Sequence, residues 1–497
     1  MISRELSMIP QPQYKEKIDA WVDEHTDQML EDLKMLIRIP SVRGDAKKGM
    51  PYGEMPARAV DAMQKLMERY GLRTTNYDNY CVAGDLDAGQ EKALDILAHL
   101  DVVPVSDTWT KTSPFEPFIE GDRIYGRGSS DDKGPAVAAL YAMRCVKELG
   151  LDVKKGVRLI CGSDEECGSS DLAYYYGREK EALYTFSPDA DYPLINIEKG
   201  RLQKSFYAEG PVPAPDAGKK SGKVRILSVQ GGDTVNIIPG HGRMVLTGAT
   251  RDMLLKAKEK TLRTVGPGHP AEITFTRQQE AYVLSFEGVS SHAAHPAGSV
   301  NSLTMMLEFL KNLDLAEEPG QMQLLKAGSL WPHGDFHGEA LGIASSDEES
   351  GKLTISLDIL NYELSEDGLS YRMEGTFDCR APLCCTDETL TERVREKLSS
   401  CGFRMEEGKM VPGHCVSADS VLVQKLLESY ELYFGRKGTP VAIGGGTYVH
   451  ELERGVAFGC ADPEVDNRMH GDDEFMEIPM LVKSTKIFAD AIMRLCG

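Results

Sequence analysis

His99-Leu100-Asp101, Asp131 and the adjacent pair Glu165-Glu166 each stand at or just beyond an apolar run. Imidazole and carboxylate donors in such places are what divalent cations need to activate a water. The run from Leu94 to Ala98 reads as a buried strand, and the two-residue side-chain period at its end puts His99 and Asp101 on one face. One of them can bind a metal while the other orients it. The pattern points to metal-dependent hydrolysis.

Each stretch also has a plainer explanation. A histidine at a strand end is more often packed or solvated than ligating. Gly126-Arg127-Gly128-Ser129-Ser130-Asp131-Asp132-Lys133-Gly134-Pro135 could be a capped helix start, with Pro135 in the first turn, but a cap needs only one acidic side chain. Gly162-Ser163-Asp164-Glu165-Glu166-Cys167-Gly168-Ser169 could be a solvated loop. Adjacent carboxylates leaving a strand point differently, however, so one can bind metal while its neighbour takes a proton from water.

The elements that must position these residues alternate. A helix from about Tyr14 to Ile37 and a second from Pro56 to Tyr70 precede the strand Leu94 to Ala98, the helix Ala136 to Leu149 and the strand Val157 to Cys161. That order is the mark of a parallel sheet covered by helices, in which ligands collect beyond the carboxyl ends of the strands. After Gly200 the texture changes. Pro211, Pro213, Pro215, Gly218, Gly222 and paired lysines up to Lys223 read as a loop with no derivable role.

Helical patterns at Met253 to Val265 and Val300 to Leu313 then lie among strands at Arg243 to Thr247, Glu272 to Phe275, Tyr282 to Phe286, Leu353 to Ile359 and Tyr371 to Phe377. These describe an antiparallel sheet with helices on one face. From Ser417 the first style returns, with a helix through Phe434 and Gly444-Gly445-Gly446 at a strand end. The expected architecture is an α/β domain built on a mostly parallel sheet flanked by helices, residues 1–199 and 413–497, interrupted by a large α+β lid domain, residues 200–412.

A formal charge of −21 and a pI near 5.1 disfavour nucleic acid and anionic membrane as partners. The charged opening segment, including Gln11 to Asp32, has no secretory apolar core, and no stretch approaches the ~20 apolar residues of a membrane span. Eleven scattered cysteines without CxxC spacing fit a reducing cytoplasm and disfavour a structural zinc site.

Read together, His99-Leu100-Asp101-Val102-Val103-Pro104, the Asp131 segment, Asp164-Glu165-Glu166, Ser187-Pro188-Asp189-Ala190, Ser291-His292-Ala293, Gly444-Gly445-Gly446-Thr447-Tyr448 and Met469-His470 resemble the dinuclear-metal peptidases that include carboxypeptidases, aminoacylases and carnosinases. The resemblance spans nearly the whole chain and is nearest to the dipeptidase V branch. It implies two divalent metal ions, zinc first and manganese or cobalt as alternatives, with His99 and Asp189 on one, Glu166 and His470 on the other, and Asp131 bridging. Two divalent cations would be balanced by those three carboxylates and one hydroxide, so the assembled centre is neutral.

The same resemblance makes Glu165 the general base and Asp101 the acceptor that fixes the His99 tautomer. It makes His292, with the nearby His295 as the alternative, the donor to the oxyanion, and Asn236, Arg380, Gly444, Gly445, Gly446 and Thr447 the contacts to the substrate's terminal carboxylate. For Arg380 a strand-edge salt bridge accounts for the spacing equally well. The implied reaction is hydrolysis of unblocked dipeptides, with a small peptide as the only partner and an enlarged lid that leaves the enzyme a monomer. Two other readings stay open: an N-acyl amino acid amidohydrolase on the same scaffold, and a non-catalytic peptide-binding relative. After His470, Gly471-Asp472-Asp473-Glu474 stands where the family often has an amide.

Overall fold

The strand Lys92–His99 is buried along nearly all of its length, which is the environment of a strand with helices on both sides of its sheet. It runs parallel to Gly156–Gly162 on one side and to Tyr184–Ser187 on the other. The structure is a computed structural model and describes residues 12–86, 91–213, 223–266 and 270–497. Residues 214–222, which include Pro215, Gly218 and Gly222 of the loop expected from the sequence, lie outside the described residues, as does Gln11.

Between the first two of these strands the chain forms the helix Lys133–Glu148, buried from end to end of its core-facing turns and packed against the C-terminal helix Ile478–Cys496. The sheet they belong to has nine strands. Its path runs Arg73–Tyr77, Cys81–Leu86, Gly156–Gly162, Lys92–His99, Tyr184–Ser187, Gly455–Ala457, Ile195–Glu198 and His414–Cys415, and Val441–Ile443 pairs with Ile195–Glu198. Four central strands are parallel, as the α/β reading expects, and Arg73–Tyr77, Cys81–Leu86 and Ile195–Glu198 join them antiparallel. Arg73–Tyr77 and Cys81–Leu86 form a hairpin because Asp78 and Asn79 take positive φ (52° and 62°) between them, a conformation that short polar side chains tolerate.

The first helical pattern divides into Lys15–Glu24 and Thr26–Ile37. At the break, His25 stacks on Trp21 and its Nδ1 lies 2.7 Å from the Trp21 carbonyl, competing for a main-chain acceptor of the helix.

The inserted segment builds an eight-stranded sheet in the order Glu272–Gln278, Ala281–Glu287, His241–Thr247, Arg225–Gly231, Thr354–Leu364, Ser370–Ala381, Gly200–Pro211 and Arg404–Met405. Every pairing in it is antiparallel. Helices Ser302–Lys311 and Pro319–Leu330 pack on it. Strand Gly200–Pro211 extends up to the first residue of the Pro-rich stretch; its buried Leu202, Phe206 and Ala208 all fall on even positions, the alternation of a half-buried strand.

The chain divides into two compact units, one of Met1–Ile197, His414–Ala442 and Gly446–Gly497, the other of Glu198–Gly413 and Ile443–Gly445. The segment Ile443–Gly445 groups with the inserted unit because Lys199 N donates to Ile443 O (2.9 Å) and Arg380 Nη1 to Gly444 O (2.6 Å). No helix among the described residues is long and apolar enough to cross a membrane. All eleven cysteines are free thiols, and Cys81, Cys145, Cys161, Cys379, Cys460 and Cys496 are buried.

Candidate metal centre

Strand register brings the acidic stretches to one end of the first sheet. His99 is level with Gly162 of the neighbouring parallel strand, so the turn holding Glu165 and Glu166 begins just past His99. Asp189 follows the parallel strand Tyr184–Ser187 on the other side. Asp131 and Asp132 precede the helix Lys133–Glu148. Asp132 occupies its N-cap position but makes no capping bond, and its Oδ2 accepts instead from His99 N (3.0 Å). A helix cap therefore does not account for the acidic pair.

Asp131 is the hub. Its Oδ1 lies 2.9 Å from His99 Nε2 and its Oδ2 lies 2.8 Å from His470 Nε2. His99 Nε2 is also 3.6 Å from Asp189 Oδ2, and His470 Nε2 is 3.3 Å from Glu166 Oε2. Donor atoms of His99, Glu165 and Asp189 fall within 4.8 Å of one another, as do those of His99, Asp131 and Glu166. Distance alone thus puts Glu165 in ligand range as well.

Burial concentrates negative charge here. It works against ionising Glu165, whose pKa stands well above the ordinary carboxylate value with Asp189 and Glu166 adding to the rise; it pushes Glu166 up to about 7 and raises Asp189. Burial also opposes ionisation of Asp131, but hydrogen bonds from His470 and His99 outweigh it and hold this carboxyl below its usual range. His470, hydrogen-bonded to Asp131 and Glu166, is pushed up to about 11.

These residues fit a pair of divalent cations. The donors are the nitrogen and oxygen types such ions take, the cluster holds more carboxylates than histidines to neutralise them, and Glu166 Oε1 is buried with no hydrogen-bond partner among the described residues. Cations would supply the missing positive charge and the missing partner together.

Surrounding groups hold the donors in place. His99 Nδ1 lies 3.0 Å from the Asp101 main-chain oxygen and 3.5 Å from its carboxylate. That carboxylate accepts chiefly from the main chain of the acidic turn, Oδ1 from Glu165 N (3.2 Å) and Oδ2 from Glu166 N (3.1 Å). The acidic run after His470 forms a well-tied shell. Glu474 is fully buried, accepts from Arg127 Nη1 (2.6 Å), and through Oε1 from the N–H groups of Gly128 (3.1 Å), Ser130 (2.9 Å) and Asp131 (3.2 Å). Asp473 accepts from Thr110 N and Lys111 N, both at 2.8 Å, and Asp472 from Ser106 Oγ and Thr108 Oγ1. Arg127 and Glu474 stand within stretches the sequence marks but carry no role of their own there; a charge of each sign beside the two ligand loops is the available signal.

The remaining candidates gather in the second unit. His292 pairs with Ile237 across two short strands, its Nδ1 accepts from Ala294 N (3.1 Å), and the Asn236 carbonyl accepts from Ala293 N (2.8 Å). Asn236 holds a φ of 76° with its N–H on the buried Asp358 carboxylate (2.9 Å), and burial pushes Asp358 up to about 8. Gly444 packs so closely on the residue after Ala293 that an added Cβ would lie 2.7 Å from Ala294 Cβ. Arg380 is buried, and its Nε and Nη2 grip Asp378 at 2.7 Å each while Nη1 reaches Gly444 O. Asn236, His292, Arg380 and Gly444 are thus neighbours within one unit. Thr447 lies in the first unit, where its Oγ1 caps the short helix Tyr448–Glu451.

A scan of known families matches residues 96–494 to "Peptidase family M20/M25/M40". Among curated proteins, the chain is 33% identical over 473 residues to "Putative dipeptidase YtjP" of Bacillus subtilis (strain 168), covering 94% of this chain and 97% of that one. It is 30% identical over 492 residues to "Putative dipeptidase SH1171" of Staphylococcus haemolyticus (strain JCSC1435), covering 97% and 99%. Human carnosine dipeptidase 1 shares the fold with a TM-score of 0.59 at 17% identity over 98% of this chain and 99% of that one. The di-peptidase Dug1p of Saccharomyces cerevisiae does so with a TM-score of 0.55 at 14% identity over 97% and 98%. The family match opens in the strand that ends at His99 and closes in the C-terminal helix, and the chain belongs to this peptidase family.

Proposed function

We propose that this chain is a metal-dependent dipeptidase that hydrolyses the peptide bond of unblocked dipeptides. The observation that carries the reading is Asp131, whose two carboxylate oxygens address different histidines, one beside Asp189 and the other beside Glu166. Relatives named as dipeptidases, at 30% identity or more over nearly the full length, give the substrate class its support. His99 and Asp189 would hold one cation and Glu166 and His470 the other, with Asp131 placed to serve both; zinc would suit these donors best, with manganese or cobalt as alternatives. When bound, the cations acidify a water and polarise the scissile carbonyl.

The chain's own residues do the rest. Glu165 takes a proton from the attacking water and passes it to the nitrogen of the leaving amino acid. Burial and neighbouring carboxylates raise its proton affinity, as a proton carrier requires. Asp101 anchors the turn that carries it. His292 accepts a main-chain N–H at Nδ1, a geometry that leaves the proton on Nε2 for donation to the oxyanion. Arg380 keeps guanidinium N–H groups beyond those given to Asp378 and Gly444, and with Asn236, Gly444–Gly446 and Thr447 it receives the substrate carboxylate. Free thiols throughout support a reducing cytoplasm as its location, and the long inserted unit supports a monomer.

A comparison of unblocked dipeptides with their N-acetyl forms tests the substrate class. The unblocked compounds are expected to be cleaved faster; a strong preference for the acetylated ones would make the protein an amidohydrolase. Binding of dipeptides by metal-loaded protein with no cleavage of any would make it a binding protein.

A further inference from the structure

We infer that Tyr448 and Asp171 are positioning residues of the reaction, a buried strut that fixes the turn carrying Glu165 and Glu166. The inference rests on the reading of Glu165 as the proton carrier. Neither residue is a ligand of the cluster, and neither was given a role by the sequence, although Tyr448 stands at the end of the Gly444-Gly445-Gly446-Thr447-Tyr448 motif.

Four successive main-chain N–H groups of the acidic turn are held by two carboxylates. Glu165 and Glu166 donate to Asp101, while Ser163 (2.6 Å) and Asp164 (2.9 Å) both donate to Asp171 Oδ2. Asp171 Oδ1 accepts from Leu172 N (2.8 Å), so this carboxylate is tied at both oxygens. A one-turn helix such as Glu165–Cys167 cannot satisfy its own first N–H groups, and the two carboxylates supply what it lacks.

Tyr448 Oη donates to the same Asp171 Oδ2 at 2.6 Å. Both residues are buried, and the Tyr448 ring stands edge-on to the His99 ring with centroids 6.2 Å apart. The strut fills the space a side chain would need at Gly162, where an added Cβ would lie 2.0 Å from Tyr448 Oη and 2.3 Å from Asp171 Oδ2. Gly162 is the residue in register with His99. The strut therefore braces the acidic turn against the strand end that presents the first histidine, and it does so from the residue directly after Thr447. Reacting groups displaced by about 1 Å can lose ~10²-fold in rate, so a brace of this kind acts on turnover without touching substrate.

Tyr448→Phe removes one hydroxyl and keeps the ring. Relative to the parent, kcat is expected to fall about tenfold with KM within about twofold, at two metal ions per chain and an unchanged unfolding midpoint. Asp171→Asn, which keeps a carbonyl acceptor, should retain more of kcat than Asp171→Ala. Tyr448→Phe with parental kcat, or a loss of kcat matched by equal losses of bound metal and stability, would overturn the inference. Should the Asp171 variants fail to fold, Tyr448→Phe decides alone. Glu165→Gln measured alongside separates the two levels: parental rates in Glu165→Gln reject the proton-carrier reading and the strut with it, whereas an inactive Glu165→Gln beside a parental Tyr448→Phe rejects the strut only.

Discussion

Asp131 presents one oxygen to His99 and the other to His470, so an amide in its place would turn an N–H group toward one of the two cations. Asp131→Asn is expected to lose at least one ion and several kcal/mol of catalysis, roughly 10²–10³-fold in kcat/KM at about 1.4 kcal/mol per tenfold. Metal analysis and kinetics on the same sample check it, and a variant with two ions and parental activity would remove Asp131 from the bridge. At this scale the sequence is informative where chemistry demands a residue type: His99, Asp131, Glu165 and Glu166 stand out by type and spacing, Asp189 and His470 enter through the family resemblance, and all six side chains lie in one cluster. It is less informative where a side chain serves the main chain. Asp101 is expected to serve His99, and its carboxylate, 3.5 Å from His99 Nδ1, also hangs the acidic turn by two N–H groups. Such bonds leave no trace in residue spacing, because their partners are main-chain atoms that every residue has.

Among elements, the loops before helix Lys133–Glu148 and after His470 are joined by Glu474, which accepts from Arg127 and from three N–H groups around Asp131. Glu474→Gln leaves Arg127 buried without its counter-charge, a change that costs about 3–5 kcal/mol. Thermal unfolding should register that loss, and metal affinity should fall with it because the Asp131 loop is less well held; a variant as stable as the parent would show that the pair does not brace the site. The strand–helix–strand unit was legible because its apolar runs and Pro135 are local signals. Strand Gly200–Pro211 was less so, since polar residues interrupt its alternation and its full-length pairing with Ser370–Ala381 is set by residues far along the chain. The break at His25 escaped for a related reason: the residues there keep helical spacing, and a side chain competing for the Trp21 carbonyl ends the run.

For the whole molecule, buried carboxylates link stability to pH. Glu166, pushed up to about 7, and Asp358, pushed up to about 8, bind protons more tightly in the folded chain than in the unfolded one. Their contribution to stability is fully present below the ordinary carboxylate pKa and is lost as pH rises through these values. His470, pushed up to about 11, contributes in the same direction above its ordinary value, and the lowered Asp131 titrates below the window. The unfolding midpoint of metal-free protein is therefore expected to fall between about pH 5 and pH 8, and divalent cations should restore it most at the upper end by neutralising Glu166. A midpoint that rises with pH in metal-free protein would contradict this. At this scale the acidic balance, the interrupted α/β domain and the antiparallel insert were all legible from composition and periodicity. The return of Ile443–Gly445 to the inserted unit was not, because Arg380 and Lys199 secure it through carbonyls that sequence does not mark.

The central claim is a two-cation centre that hydrolyses dipeptides. It is tested most directly by titrating verified metal-free protein with zinc, manganese or cobalt while following cleavage of an unblocked dipeptide. Activity is predicted to be absent at the start and to rise until two ions are bound per chain; full activity before any metal is added, or no activity with both ions bound, would contradict the account.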